Sequence, residues 1–239
     1  MTEKLQKVLA RSGLASRREI EKWIEMGRVT VNGELAKLGD RVDAKAFVRV
    51  NGKPVKIVAQ EKMDQRVLLY HKPIGEICTA YDPEGRDSVF DHLPPLSEGR
   101  WVMVGRLDIN TCGLLLFTND GELANQLMHP SHHVERRYVV RILGAVTEAM
   151  FKKMREGVQL EDGSAHFDSI EEGAGEGANR WYEVTVKEGR NRIVRRIFES
   201  QGLTVSRLMR VGFGSVTLPR SLKQGDWVEL SEAIKRGLR

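Results

Sequence analysis

Residues 101–118 constrain the fold more than any other part of this 239-residue chain. Trp101–Val104 and Leu114–Thr118 are short apolar runs with the length and character of buried strands. Between them, Gly105-Arg106-Leu107-Asp108-Ile109-Asn110-Thr111-Cys112-Gly113 carries one carboxylate, one guanidinium and a glycine at each end. Glycine adopts backbone angles that other residues avoid, or admits a second backbone at close range. The pattern therefore predicts two core strands joined by a tight loop that presents Asp108, the kind of loop on which rigid elements display reactive groups. Alone, Asp108 reads as a turn residue, because Asp and Asn bond their own backbone in turns.

Charge is organised by region. Residues 1–60 hold 13 Lys/Arg against 7 Asp/Glu, residues 61–185 hold 13 against 21, and residues 186–239 hold 12 against 5. Two basic zones flanking an acidic middle point to a polyanion such as nucleic acid, although some of these charges only solvate helix faces. No apolar run approaches the roughly 18 residues that span a bilayer. The start of the chain leads into a polar amphipathic segment, so no secretory signal and no membrane are expected. Cys78 and Cys112 form no metal or disulfide pattern, which favours a reducing, cytoplasmic setting. His129, His132 and His133 cluster, but Pro130 and the lack of a carboxylate–Cys set argue against zinc.

Along the chain, residues 2–11 read as a helix ended by Gly13. Ser16-Arg17-Arg18-Glu19 is a capping box, with Ser16 bonding forward and Glu19 bonding back. It opens a second helix that Gly27 ends. Arg28–Val31 is a strand, and Asn32-Gly33 and Asn51-Gly52 are hairpin turns. Residues 59–66 read as a polar linker, and Val67–Tyr70 opens a second domain as a strand. A helix from Gly121 to about Met128 follows, then a strand over 134–143. Thr147 caps a helix with Met150, Phe151 and Met154 at core positions. Residues 173–177 read as a hairpin tip without the strand-to-helix context of a dinucleotide fingerprint. Trp181–Lys187 is a strand. In Gly189–Phe198 the apolar positions Ile193, Val194, Ile197 and Phe198 have helical spacing, with arginines on the other faces. A strand through Val205–Phe213 and a short helix capped by Ser231 complete the chain. Many strands, separate helices and no regular βαβ alternation indicate an α+β fold.

Gly105-Arg106-Leu107-Asp108, then Thr111, Gly113-Leu114-Leu115-Leu116 and Thr118-Asn119-Asp120-Gly121, resembles the signature of RNA pseudouridine synthases, in the branch acting on ribosomal RNA. The likeness continues through Glu122–Pro130, and Tyr70-His71-Lys72-Pro73-Ile74-Gly75 fits the family's opening pattern. Leu14–Glu19 with Gly27–Gly33 resembles the α-L RNA-binding module shared with a small-subunit ribosomal protein. Lys4–Arg11 and Asp108–Gly113 favour a large-subunit branch, which modifies 23S rRNA.

The resemblance implies a bent, mixed, mostly antiparallel sheet crossed by a central cleft. The expected division is an α-L module over 1–58, a linker over 59–66 and a catalytic domain over 67–239. Asp108 is then the essential acid, either attacking the sugar or removing a ribose proton. Tyr138 stacks on the target base and takes the proton from ring carbon five, and Leu116 packs beneath that base. By the family's Gly-Arg-x-x-x-hydrophobic-Arg pattern, Arg195 is the guanidinium opposed to the acid, with Arg196 the alternative. Arg106 fills the space left by the extruded base or grips a flanking phosphate, and Arg86 approaches RNA. In the amino-terminal module the implied phosphate grip is Lys4, Lys7, Arg11, Arg17, Arg18, Lys22 and Arg28, with Ser16 at a helix start that favours phosphate. The reaction calls for no cofactor and no metal. The expected partner is 23S rRNA or a large-subunit precursor, met by a monomer. Three other readings compete: a non-catalytic RNA-binding or ribosome-assembly protein on the same fold, a synthase acting on a different rRNA uridine, and a glycosidic hydrolase. The hydrolase usually needs paired carboxylates, and no partner acid is evident.

Overall fold

Asn-Gly pairs set the first part of the fold. In the computed structural model, which describes residues 2–58, 64–173 and 179–238, Asn32-Gly33 and Asn51-Gly52 all have positive φ (52°, 93°, 51° and 76°). That combination is the type I′ hairpin turn. The elements here are β1 (Glu3–Lys4), α1 (Leu5–Arg11), α2 (Arg17–Glu25), β2 (Val29–Val31), β3 (Glu34–Leu35), β4 (Arg41–Val42), β5 (Val48–Val50) and β6 (Lys53–Val55). A four-stranded antiparallel sheet runs β3-β2-β5-β6, and β1 pairs with β4. That pairing explains why α1 begins at Leu5 and not at Thr2: residues 3 and 4 are extended, opposite Val42 and Arg41. Leu5, Val8 and Leu9 of α1 pack with Ile20 and Ile24 of α2 and with Val29, Val48 and Val50 of the sheet, each buried side chain of this size contributing about 1.5–3 kcal/mol.

Ser16 accepts a bond from the Glu19 amide at 3.2 Å, the forward half of the expected capping box. The return half is absent, because the Glu19 carboxylate bonds Trp23 Nε1 at 3.1 Å and pairs with Lys22. This unit comprises residues 1–66, 94–102 and 119–121. Of the expected linker, residues 59–63 lie outside the described residues, while Asn119 holds the Asp64 carbonyl and the Arg66 amide at 2.8 Å each.

The second unit contains β7 (Val67–Lys72), β8 (Val102–Val104), β9 (Cys112–Thr118), α3 (Gly121–Met128), β10 (Arg136–Leu143), α4 (Glu148–Glu156), β11 (Val158–Leu160), β12 (Gly163–Ala165), β13 (Ser169–Glu172), β14 (Asn179–Val186), α5 (Ile193–Glu199), β15 (Thr204–Phe213), β16 (Val216–Thr217), β17 (Trp227–Glu229) and α6 (Glu232–Arg236). Thr147 caps α4 as expected, but the Ser231 side chain makes no cap bond to α6. Residues 174–177 of the expected hairpin tip lie outside the described residues. The main sheet runs β13-β14-β10-β15-β9-β7-β17, with β16 on β15 and β8 on β9. Along its main path every pairing is antiparallel except β9 with β15.

One register row crosses five strands: Val184, Tyr138, Arg210, Gly113 and Lys72 face one another in turn. Adjacent strands lie about 4.8 Å apart, so Tyr138 stands two strands, roughly 10 Å, from the point where the Asp108 loop enters β9. Gly113 is what permits the parallel contact: at φ +109° an added Cβ would lie 2.2 Å from the Arg210 carbonyl oxygen.

Candidate active site

The loop between β8 and β9 is fixed by its carbonyls. Gly105 enters it at φ +75°. The oxygens of residues 108, 109, 110 and 111 then each accept a hydrogen bond: Asp108 from the Thr111 amide at 3.0 Å, Ile109 from the Gly75 amide at 2.8 Å, Asn110 from Arg195 Nη2 at 3.0 Å and Thr111 from Lys72 Nζ at 3.1 Å. Upstream, the Leu107 amide donates to Cys78 Sγ at 3.4 Å. The half-buried Asp108 carboxylate, in contrast, makes no hydrogen bond or ion pair among the described residues. A rigid backbone carrying an uncommitted acid is the arrangement that presents a reacting group without reorganisation.

Two buried cations feel the charge of that acid. Arg195 is 5% exposed and donates to the Val205 and Asn110 carbonyls at 3.0 Å each. It therefore lies on the packed side of α5, not on the solvent faces assigned to the arginines from spacing; two backbone oxygens compensate the burial of its charge. It forms no ion pair with Asp108. Burial pushes its guanidinium down, nearby Arg192 adds to this, and Asp108 opposes it. Lys72 is fully buried, and its Nζ donates to Pro73 at 2.8 Å as well as to Thr111. Burial pushes it down too, with Cys78, Glu76, Cys112 and Asp108 opposing. Arg196, the alternative to Arg195, is engaged elsewhere: both its terminal nitrogens bond Asp162, at 2.8 and 2.9 Å. Arg190 shares that Asp162 and bonds Glu188, while Arg192 pairs with Glu199.

Tyr138 is 8% exposed on β10, and its hydroxyl has no hydrogen-bond partner among the described residues. Arg106 is exposed on the loop, with no hydrogen bond or ion pair to its side chain among the described residues. Leu116 has no exposed surface and lies within the fully buried strand β9. Arg86 is held by Asp82 at 2.8 and 3.0 Å and by Glu84 at 3.2 Å. Sequence reasoning missed two buried cations of the register row, Lys72 and Arg210. Arg210 is 2% exposed, donates from Nε to the Leu114 carbonyl at 2.8 Å, and lies over the Phe213 ring at 5.2 Å. The sequence signals for Lys72 are the unbroken apolar run Val67–Tyr70 before it and its place in the family's opening pattern Tyr70–Gly75.

In the amino-terminal unit the basic residues divide. Lys4, Arg17 and Arg18 are exposed and their side chains make no hydrogen bond or ion pair among the described residues, and Ser16 precedes Arg17 at the start of α2. Lys22 is exposed and meets Glu19 only at 3.7 Å. Arg11 grips Glu3 at 2.9 and 2.6 Å and the Val58 carbonyl at 2.9 Å, and Lys7 pairs with the same Glu3. Bonding by Arg11 is the main cause that holds the Glu3 carboxyl down at about 2. Arg28 bonds Asn51 and covers the Trp23 ring. Arg11 thus acts as a brace inside the unit.

Comparison with known proteins bears on the same two units. The family model for RNA pseudouridylate synthase matches residues 66–200, and the S4 domain model matches residues 3–47. The chain is 56% identical to "Ribosomal large subunit pseudouridine synthase B" of Escherichia coli (strain K12), over all of this chain and 83% of that relative. It is 57% identical to the protein of the same name in Pasteurella multocida, over 95% of this chain and 67% of that one. A crystal structure described as a pseudouridylate synthase shares the fold at TM-score 0.68, with 24% identity and 99% of each chain covered. The loop that displays Asp108 lies inside the matched stretch, and the chain belongs to the RNA pseudouridylate synthase family, with an S4 domain at its amino end.

Proposed function

We propose that this chain isomerises a specific uridine of 23S ribosomal RNA to pseudouridine, acting in the cytoplasm as a monomer without a cofactor. The observation that carries this is the uncommitted Asp108 carboxylate on a loop whose four successive carbonyls are all bonded. The names of the relatives matched over the whole chain supply the substrate class. The reaction breaks the bond from ribose C1′ to uracil N1, turns the base, and joins C1′ to C5. The C5 proton leaves and N1 gains one, so no redox partner is required. In this reading Asp108 attacks C1′ or removes the C2′ proton, and Tyr138 stacks on the base and takes the C5 proton at its hydroxyl oxygen while its own phenolic proton passes through solvent to N1, so that the phenol ends unchanged. Arg195 supplies positive charge and holds the loop. Arg106 contacts RNA beside the extruded nucleotide.

We assign the work of RNA capture to residues 1–58, that of catalysis to 67–239, and 59–66 to a linker. Within the first segment Lys4, Arg17, Arg18 and Lys22 are the strongest phosphate contacts, because their charges are exposed. No described helix is long and apolar enough to cross a membrane.

Incubating the protein with unmodified 23S rRNA and mapping isomerised uridines by mass spectrometry tests the activity; no new pseudouridine at any position would refute it. Replacing Arg17 and Arg18 together by Ala is expected to weaken RNA binding uniformly across sequences. It should also lower the slope of log affinity against log salt by about one for each phosphate left unneutralised. An unchanged slope would remove both from the interface. For the two arginines of α5, Arg195→Ala is expected to lower turnover about a hundredfold, the scale of a misplaced reacting group. Arg196→Ala, which loses only a surface pair, should change it less than about threefold. The reverse order of effects would transfer the role to Arg196.

A further inference from the structure

The four-stranded sheet of the amino-terminal unit has one buried face and one open face. Val29, Val48 and Val50 point into the core. The opposite face carries a register row across all four strands, Leu35, Thr30, Arg49 and Pro54. Phe47, two residues before Arg49, projects to the same side, since side chains alternate along extended backbone. Leu35 is 63% exposed and Phe47 52% exposed. The Arg49 guanidinium lies 5.1 Å over the Phe47 ring and makes no hydrogen bond or ion pair among the described residues. The Phe47 backbone is clamped at both polar atoms: its amide donates to Asn32 Oδ1 at 2.9 Å, and its carbonyl accepts from the Asn32 amide at 2.8 Å. The aromatic ring therefore stands in solvent on a fixed backbone beside a free planar cation.

We infer that this open sheet face is a stacking platform for an unpaired nucleobase of RNA, with Phe47 and Arg49 as its two planar surfaces. The inference deepens the RNA-binding reading above and rests on it. None of the five residues is acidic, and the first 60 residues hold 13 basic against 7 acidic side chains. A face that offers an aromatic ring and a guanidinium plane with no carboxylate complements a polyanion that itself carries planar rings. A duplex hides its base faces in the stack, so only single-stranded or looped RNA can use such a platform. The surface is distinct from the start of α2, where Ser16, Arg17 and Arg18 stand: a phosphate grip there and a base platform on the sheet would engage different parts of one RNA.

The test uses the full chain, a short unstructured RNA and a blunt RNA duplex of the same length, with affinities from fluorescence anisotropy. Phe47→Ala and Arg49→Ala are each expected to weaken the unstructured RNA about tenfold, the scale of one stacked base, and the duplex less than twofold. Phe47→Trp should retain full affinity, with thermal melts unchanged in all three. Equal loss on both RNAs, or none on either, overturns the platform. So does a concentration-dependent dimer that Phe47→Ala disperses, because the face would then cover a second copy of the chain. If Phe47→Ala binds normally and the protein still modifies ribosomal RNA, the platform alone fails. A wild-type chain that binds neither RNA overturns both the platform and the reading beneath it.

Discussion

Asp108→Asn is expected to lower pseudouridine formation by about a thousandfold or more, because an amide can neither attack a sugar nor remove a ribose proton. Folding should be untouched. The carboxylate has no bonded partner among the described residues, and the loop is held through its backbone oxygens, which the substitution leaves in place. Tritium release from RNA labelled at uracil C5, read beside a thermal melt and an RNA-binding isotherm, separates these effects. Loss of activity with an unchanged melt and unchanged affinity is the signature of a reacting group. Retention of about a tenth of wild-type turnover would remove Asp108 from the chemistry, and a collapsed melt would make it a folding residue.

Gly113→Ala should act in the opposite way, through stability. The added methyl would sit 2.2 Å from the Arg210 carbonyl oxygen and 2.7 Å from its amide nitrogen, at a φ of +109° that side chains resist. These are backbone atoms of the paired strand, so no side-chain rotation relieves the clash. Overpacking and backbone strain together amount to about 3–5 kcal/mol, which lowers the melting temperature by about ten degrees for a chain of this size. Activity should fall with it, because β9 pairs with β15 at the point where the Asp108 loop ends. A melt within a degree or two of wild type would mean that the two strands separate at little cost.

Much of this was legible where chemistry is local. Asn-Gly pairs specify I′ turns because both residues must take positive φ, and both turns are present. The helix read as Gly121 to about Met128 is observed as Gly121–Met128, and Thr147 caps α4 through the Met150 amide. The glycine at 113 announced a close backbone approach, but not which backbone: Arg210 lies far along the chain, and periodicity carries no information about such pairing. The buried cations were hidden for a related reason. Lys72 and Arg210 look in sequence like solvent-facing charges, and backbone oxygens distant in sequence, Thr111 for Lys72 and Leu114 for Arg210, help make their burial tolerable. The family pattern singles out Arg195, but its bonding to backbone oxygens, and not to the acid itself, is visible only in three dimensions.

The bonded carbonyls of residues 108–111 divide the labour between catalyst and substrate. A segment tied at four consecutive points to a turn amide, a lysine, an arginine and its own third residue cannot swing out to meet an incoming strand. The polynucleotide must do the moving: the uridine unstacks and travels to a stationary acid, at a cost of about a few kcal/mol. Sites already looped out or strained would then be favoured over equally exposed stretches of helix, so the choice of target is made partly by the stiffness of the RNA.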